Sequence, residues 1–112
     1  MTNELQLQVV FYKTKTGHEP VRDWLKSLPR QDKKIIGQDI KTVQFSWPLG
    51  MPLIRKLDKD LWEVRSHLPD RIARILFTVS DQTMVLLHGF IKKSQKTPLT
   101  DLALAKQRLK SL

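Results

Sequence analysis

The sequence predicts one α+β domain over residues 1–112, with elements in the order β-α-α-β-β-β-α. Three observations carry this expectation. Leu5, Leu7, Val9 and Phe11 alternate with Gln6, Gln8, Val10 and Tyr12, the period of a half-buried strand. Apolar residues recur at helical spacing in two segments after it and once more near the C-terminus. Between them, residues 61–93 hold three strand-like runs separated by short turn signals, which implies an antiparallel meander.

After the opening strand and Thr16-Gly17, Pro20 stands where a first helical residue would be. Val21, Trp24, Leu25 and Leu28 then follow at i, i+3, i+4 and i+7 until Pro29 stops the run. A second helix is expected from Gln31 to about Phe45. It has Ile36, Ile40 and Val43 on one face, with Lys33, Lys34, Asp39 and Lys41 on the rest. Trp47-Pro48-Leu49-Gly50-Met51-Pro52 breaks the periodicity and reads as a loop, with Arg55-Lys56 lying before the first meander strand.

The meander strands are expected at Leu61–His67, Arg71–Val79 and Thr83 to about Lys92, with turns at Pro69-Asp70 and Ser80-Asp81-Gln82. A final helix is expected after Pro98, with Thr100 as N-cap and Leu102, Ala105, Leu109 and Leu112 on one face. Lys106, Arg108 and Lys110 sit toward its C-terminus, where the helix dipole favours cations.

Composition limits the function. Twenty Lys and Arg against eleven Asp and Glu give a formal charge of +9, a field that attracts polyanions, with nucleic acid first among them. The absence of cysteine excludes disulfides and thiolate metal sites, and three scattered histidines argue against structural zinc. The polar start Met1-Thr2-Asn3-Glu4 lacks a signal-peptide pattern, and no apolar run approaches the ~20 residues of a membrane span. A cytoplasmic protein without membrane association is expected.

Candidate chemistry gathers in the meander. Alternation places Glu63, Arg65 and His67 on one face of the first strand, opposite Trp62 and Val64. The plain alternative is an outer sheet face in water, where Arg65 pairs with Glu63 or another neighbour. Arg74 lies inside the apolar run Ile72-Ala73-Arg74-Ile75-Leu76-Phe77, so its guanidinium needs a carboxylate, a phosphate or solvent. If Pro69 and Asp70 form a two-residue turn, Arg65 falls opposite Arg74 and both project from one face; a three-residue turn separates them. Paired arginines across a sheet suit a bidentate phosphate between them.

On the third strand, Met84, Leu86, His88, Phe90 and Lys92 share one face by alternation, and Val85, Leu87 and Ile91 the other. His88 and Phe90 can be core residues. They can also move a proton and stack a base, with Lys92 holding a phosphate. Arg65, Arg74, His88 and Lys92 together suggest a phosphate-transfer site that needs neither metal nor cofactor.

Leu61-Trp62-Glu63-Val64-Arg65, Arg71-Ile72-Ala73-Arg74-Ile75-Leu76-Phe77 and above all Leu87-His88-Gly89-Phe90-Ile91-Lys92-Lys93-Ser94-Gln95-Lys96-Thr97-Pro98 carry a resemblance. Across nearly its whole length the chain resembles the phage-derived, HigB-like branch of the RelE/ParE toxin superfamily. The resemblance implies a small antiparallel sheet curved around an RNA-binding face, with two N-terminal helices behind it. It implies a metal-independent mRNA interferase, the toxin of a type II toxin–antitoxin system, cutting mRNA in the ribosome. It also implies a hetero-oligomeric complex with a helix-turn-helix antitoxin of the HigA type.

On that basis phosphate clamping falls to Arg65 and Arg74, and proton transfer to His88 with Lys92 competing. RNA positioning falls to Lys56, Arg71, Phe90, Lys93 and Lys96. Several RelE-type nucleases use a tyrosine near the end of the last strand, whereas the only tyrosine here is Tyr12. Two alternatives are a ParE-like gyrase inhibitor on the same fold and a basic RNA-binding protein without catalysis.

Overall fold

A computed structural model describes residues 7–48, 53–92 and 96–112. Its elements are β1 (Gln8–Phe11), α1 (Pro20–Lys26), α2 (Arg30–Ser46), β2 (Ile54–Asp58), β3 (Leu61–His67), β4 (Ile72–Ser80), β5 (Thr83–Lys92) and α3 (Leu99–Lys110). The α+β class, the helix pair, the meander and the final helix are as expected. Two features differ. Ile54–Asp58 forms a fourth antiparallel strand where a loop was expected, because the strand needs Val64 and Trp62 of β3 as partners and has only five residues of its own. The sheet, ordered β1-β5-β4-β3-β2, is also not wholly antiparallel, since β1 runs parallel to β5 at its edge.

Two apolar clusters lie on opposite faces of the sheet. Val21 of α1 and Ile36, Ile40 and Val43 of α2 pack on Ile54, Val64, Ala73, Ile75, Phe77, Met84 and Leu86. This larger core includes an aromatic group: Trp47 stands edge-on to Trp62 and Phe77 at 5.0 and 5.8 Å, and Trp62 stacks on Phe77 at 6.1 Å. Each such pair adds ~0.5–1.5 kcal/mol beyond burial and ties the end of α2 to the sheet. The start of α2 is held by Asp32, buried in its first turn, which accepts from the guanidinium of Arg71.

On the other face α3 buries Ala105 against Leu61, Leu76, Val85 and Leu87. Pro98 occupies its N-cap, so the helix begins one residue before Thr100, and Leu112 lies beyond its end and is exposed. Arg108 Nη1 donates to the carbonyl of Leu87 at 2.7 Å. That carbonyl belongs to a β-bulge: His88 pairs with Leu76 and Leu86 with Phe77, leaving Leu87 as the extra residue. The bulge reverses the alternation expected for β5. Met84 and Leu86 face the helix pair, while His88, Phe90 and Lys92 face the α3 side.

Candidate active site

The turn between β3 and β4 is the two-residue form, since Leu68 N donates to the Arg71 carbonyl at 2.8 Å. Arg65 is therefore the register partner of Arg74, and Arg74 in turn of Phe90. One row across the sheet reads Arg65, Arg74, Phe90. The row toward the covered end reads Arg55, Glu63, Leu76, His88, and the row toward the other end reads His67, Ile72, Lys92. All point to the face that carries α3, because the intervening residues Val64, Ala73, Ile75, Gly89 and Ile91 face α1 and α2.

That face is divided. Its Leu61 and Leu87 end lies under α3; among the described residues its other end lies beyond that helix, with Arg65 and Lys92 half-buried and Arg55 exposed. Two polar groups mark the boundary. Arg74 and Glu63 are both 0% exposed, with Arg74 Nη1 donating to Glu63 Oε1 at 2.9 Å and Oε2 at 3.1 Å. The Thr97 hydroxyl accepts from Arg74 Nη1 and donates to Glu63 Oε2, each at 3.1 Å. The counter-charge that Arg74 requires is thus a carboxylate of the neighbouring strand, and its role is to hold the sheet and the approach to α3 together.

The second group is His88 Nε2, 2.6 Å from Asp101 Oδ1 in the first turn of α3. Phe90 stacks on the His88 ring at 5.5 Å with 23° between planes. A carboxylate accepts from Nε2–H, so the neutral tautomer that suits this contact carries its lone pair on Nδ1. The pair is shielded on one side by Phe90 and sits beside the end beyond α3.

Lys92 titrates below the ordinary lysine range. Burial is the largest cause, the charges of Arg74, Arg65 and Arg55 push the same way, and Glu63 opposes them. Clustered cations disfavour one more positive charge, so this end of the face is electropositive enough to deprotonate a lysine more easily.

Other residues named from the sequence lie elsewhere. Lys56 is opposite Trp62 and rests 5.7 Å from its ring on the face of α1 and α2, so it is Arg55 that shares the face of Arg65. Arg71 is tied to Asp32 and, at 2.8 Å, to Asp70, which makes it a brace between the turn and α2. Lys96 is exposed before α3, and Lys93 lies outside the described residues. Arg55, Thr97 and Asp101 were not legible as site residues. Arg55 required β2 to be recognised as a strand, whereas Thr97 and Asp101 arrive through tertiary packing 34 and 13 residues from their partners.

The fold and this arrangement define a small basic α+β protein with a cationic half-face of sheet, bordered by a carboxylate-held histidine. Residues 23–110 match the model of the family described as phage-derived protein Gp49-like (DUF891), and the chain belongs to that family. The Gp49-like family is related to the RelE-like toxins. No curated protein matches the chain significantly. The matched span contains every residue of that half-face and its border.

Proposed function

We propose that this protein is the toxin of a toxin–antitoxin pair, a HigB-type endoribonuclease that cuts mRNA, with ribosome-bound mRNA as substrate and a helix-turn-helix protein as its antitoxin. The observation that carries this reading is the convergence of Arg55, Arg65 and Lys92 on the end of the sheet face beyond α3, where burial and the arginine charges push the Lys92 ammonium toward its neutral form. His88, bonded to Asp101, lies beside them. Such a surface holds a phosphate and has a proton carrier at its edge.

The reaction needs no group from outside the chain. The 2′-hydroxyl of RNA attacks its adjacent phosphorus, forming the O2′–P bond as the P–O5′ bond breaks. The products are a 2′,3′-cyclic phosphate and a 5′-hydroxyl. Nδ1 of His88 accepts the 2′-proton, with Lys92 in its neutral form the competing base, and the leaving oxygen takes a proton from whichever of the two is protonated. Arg65, Arg55 and charged Lys92 stabilise the extra negative charge on phosphorus. Phe90 stacks a base and Lys96 extends the RNA path. Arg74 acts as a positioning residue, since its guanidinium is wholly buried on Glu63.

The test is cleavage of translated mRNA by the purified chain with ribosomes and EDTA, mapped by primer extension. The expected result is discrete 5′-hydroxyl ends with the native chain and none with Arg65→Ala. Equal cleavage by native and Arg65→Ala proteins would overturn the assignment. DNA damage without mRNA loss on induction would support the gyrase-inhibitor alternative instead.

A further inference from the structure

Outside the candidate site, a run of positive charge lies on α2, on the other side of the sheet. Burial orients this helix: Asp32, Ile36, Ile40 and Val43 face inward, and Arg30, Lys33, Lys34, Gly37, Gln38, Lys41, Thr42 and Phe45 are exposed. The two acids of the helix are Asp32, buried and bound by Arg71, and Asp39, which is half-buried; the fully exposed positions carry no acid. At 1.5 Å per residue, Arg30, Lys34 and Lys41 mark a cationic line about 16 Å long.

Charge alone on a helix is commonly only a solvated face. Here the line ends on an unusual feature: Phe45 is 50% exposed, among the few large apolar side chains left in solvent. Lys41 Nζ stands 5.9 Å from the centre of its ring. Gln38, Thr42 and Ser46 complete a shallow depression of about 390 Å³ around the two. Midway along, Gly37 has open space where a Cβ would stand, so the helix is flat between Lys34 and Lys41. An exposed ring with an ammonium beside it and hydroxyl and amide groups around it suits a nucleobase with its phosphate. The preceding lysines continue the phosphate path, and the glycine lets the strand approach the helix backbone.

We infer that the outer face of α2 is a second nucleic-acid surface, which binds single-stranded RNA with one base stacked on Phe45 and the backbone running along Lys41, Lys34 and Arg30. This surface is separate from the half-face of Arg65 and Lys92, being on the opposite side of the sheet. It would serve to hold a length of RNA or a ribosomal RNA strand while the other face engages the substrate. Binding there does not depend on cleavage.

The test measures binding of a fluorescein-labelled U12 oligoribonucleotide by anisotropy, together with photo-crosslinking of the same oligomer carrying 4-thiouridine and mapping of the attached peptide. Phe45 is exposed, so Phe45→Ala should fold as the native chain does, checked by thermal melting. The expected result is a crosslink within residues 41–46 and at least about a fivefold loss of affinity in Phe45→Ala, the low end of base-stacking effects. Lys34→Gln/Lys41→Gln should reduce the slope of log affinity against log salt by about 1.4, or about 0.7 for each phosphate that the two lysines no longer neutralise. The crosslink at 41–46 should persist in Arg55→Gln/Arg65→Gln.

An unchanged affinity in Phe45→Ala, or crosslinks confined to β3 and β5, would overturn the inference. So would displacement of U12 by polyglutamate at equal charge concentration, which would identify an acidic polypeptide as the occupant. Loss of mRNA cleavage with the crosslink retained would count against the proposed function alone.

Discussion

Replacement of Glu63 by glutamine tests how the site is held. Glu63 and Arg74 are both 0% exposed, and the carboxylate accepts two hydrogen bonds from Arg74 and one from Thr97. Glutamine keeps the shape but removes the charge and turns a donor toward the guanidinium. Breaking a buried pair from one side costs about 3–5 kcal/mol. That is a large part of the roughly 5–15 kcal/mol available to a domain of this size. At about 4 °C per kcal/mol, the melting temperature should fall by about 12–20 °C. Urea unfolding followed by the fluorescence of Trp24, Trp47 and Trp62 measures this directly, with the slope unchanged if only stability is affected. The double variant Glu63→Leu/Arg74→Met removes both charges and should recover most of the loss, because apolar replacements of buried pairs are commonly neutral or stabilising. A loss below about 1 kcal/mol in Glu63→Gln would refute the reasoning, as would a double variant no more stable than the single. The double variant also separates Arg74's support of the fold from any part in chemistry.

Three further outcomes are expected. Arg65→Ala should keep the native melting temperature within a few degrees and lower cleavage about 10²–10³-fold, the usual cost of losing one charge-stabilising donor; near-native kcat would exclude Arg65 from the reaction. Lys92→Met should stabilise the fold at neutral pH, because the native state holds this proton less tightly than the unfolded chain does. Stability of the native protein rises with pH between the lowered Lys92 value and the ordinary 10.5, so the gain from Lys92→Met should shrink across that window; a pH-independent gain would point to packing instead. Gly89→Ala should destabilise by about 1–3 kcal/mol. Its Cβ would stand 2.5 Å from Trp24 Cε3, so α1 must shift, and unchanged tryptophan emission and urea midpoint would show that the packing there is softer than it looks.

Most elements were legible because they announce themselves locally. The period-two run before Phe11, Pro20 with its i, i+3, i+4 sequel, and the Pro69-Asp70 turn each follow from backbone rules that act over a few residues. The turn even set the register that brings Arg65 opposite Arg74. Ile54–Asp58 was missed because a short edge strand is defined by its partner more than by itself. The face of Met84 and Leu86 was missed because a bulge at Leu87 has no sequence mark and is held by Arg108 from α3.

The site divides along the same line. The sequence determined that a basic α+β domain would carry Arg65, Arg74, His88, Phe90 and Lys92 on neighbouring strands, since alternation and turn length fix which side chains share a face. Only the tertiary structure decided what each of them meets. Glu63 and Thr97 take Arg74 out of solvent, Asp101 fixes the histidine, and α3 covers one end of the face while leaving Arg65 and Lys92 beyond it and Arg55 exposed on the edge strand. The reason is physical: charge pairing and burial depend on distances between segments far apart in the chain, and those distances exist only once the helix has docked on the sheet.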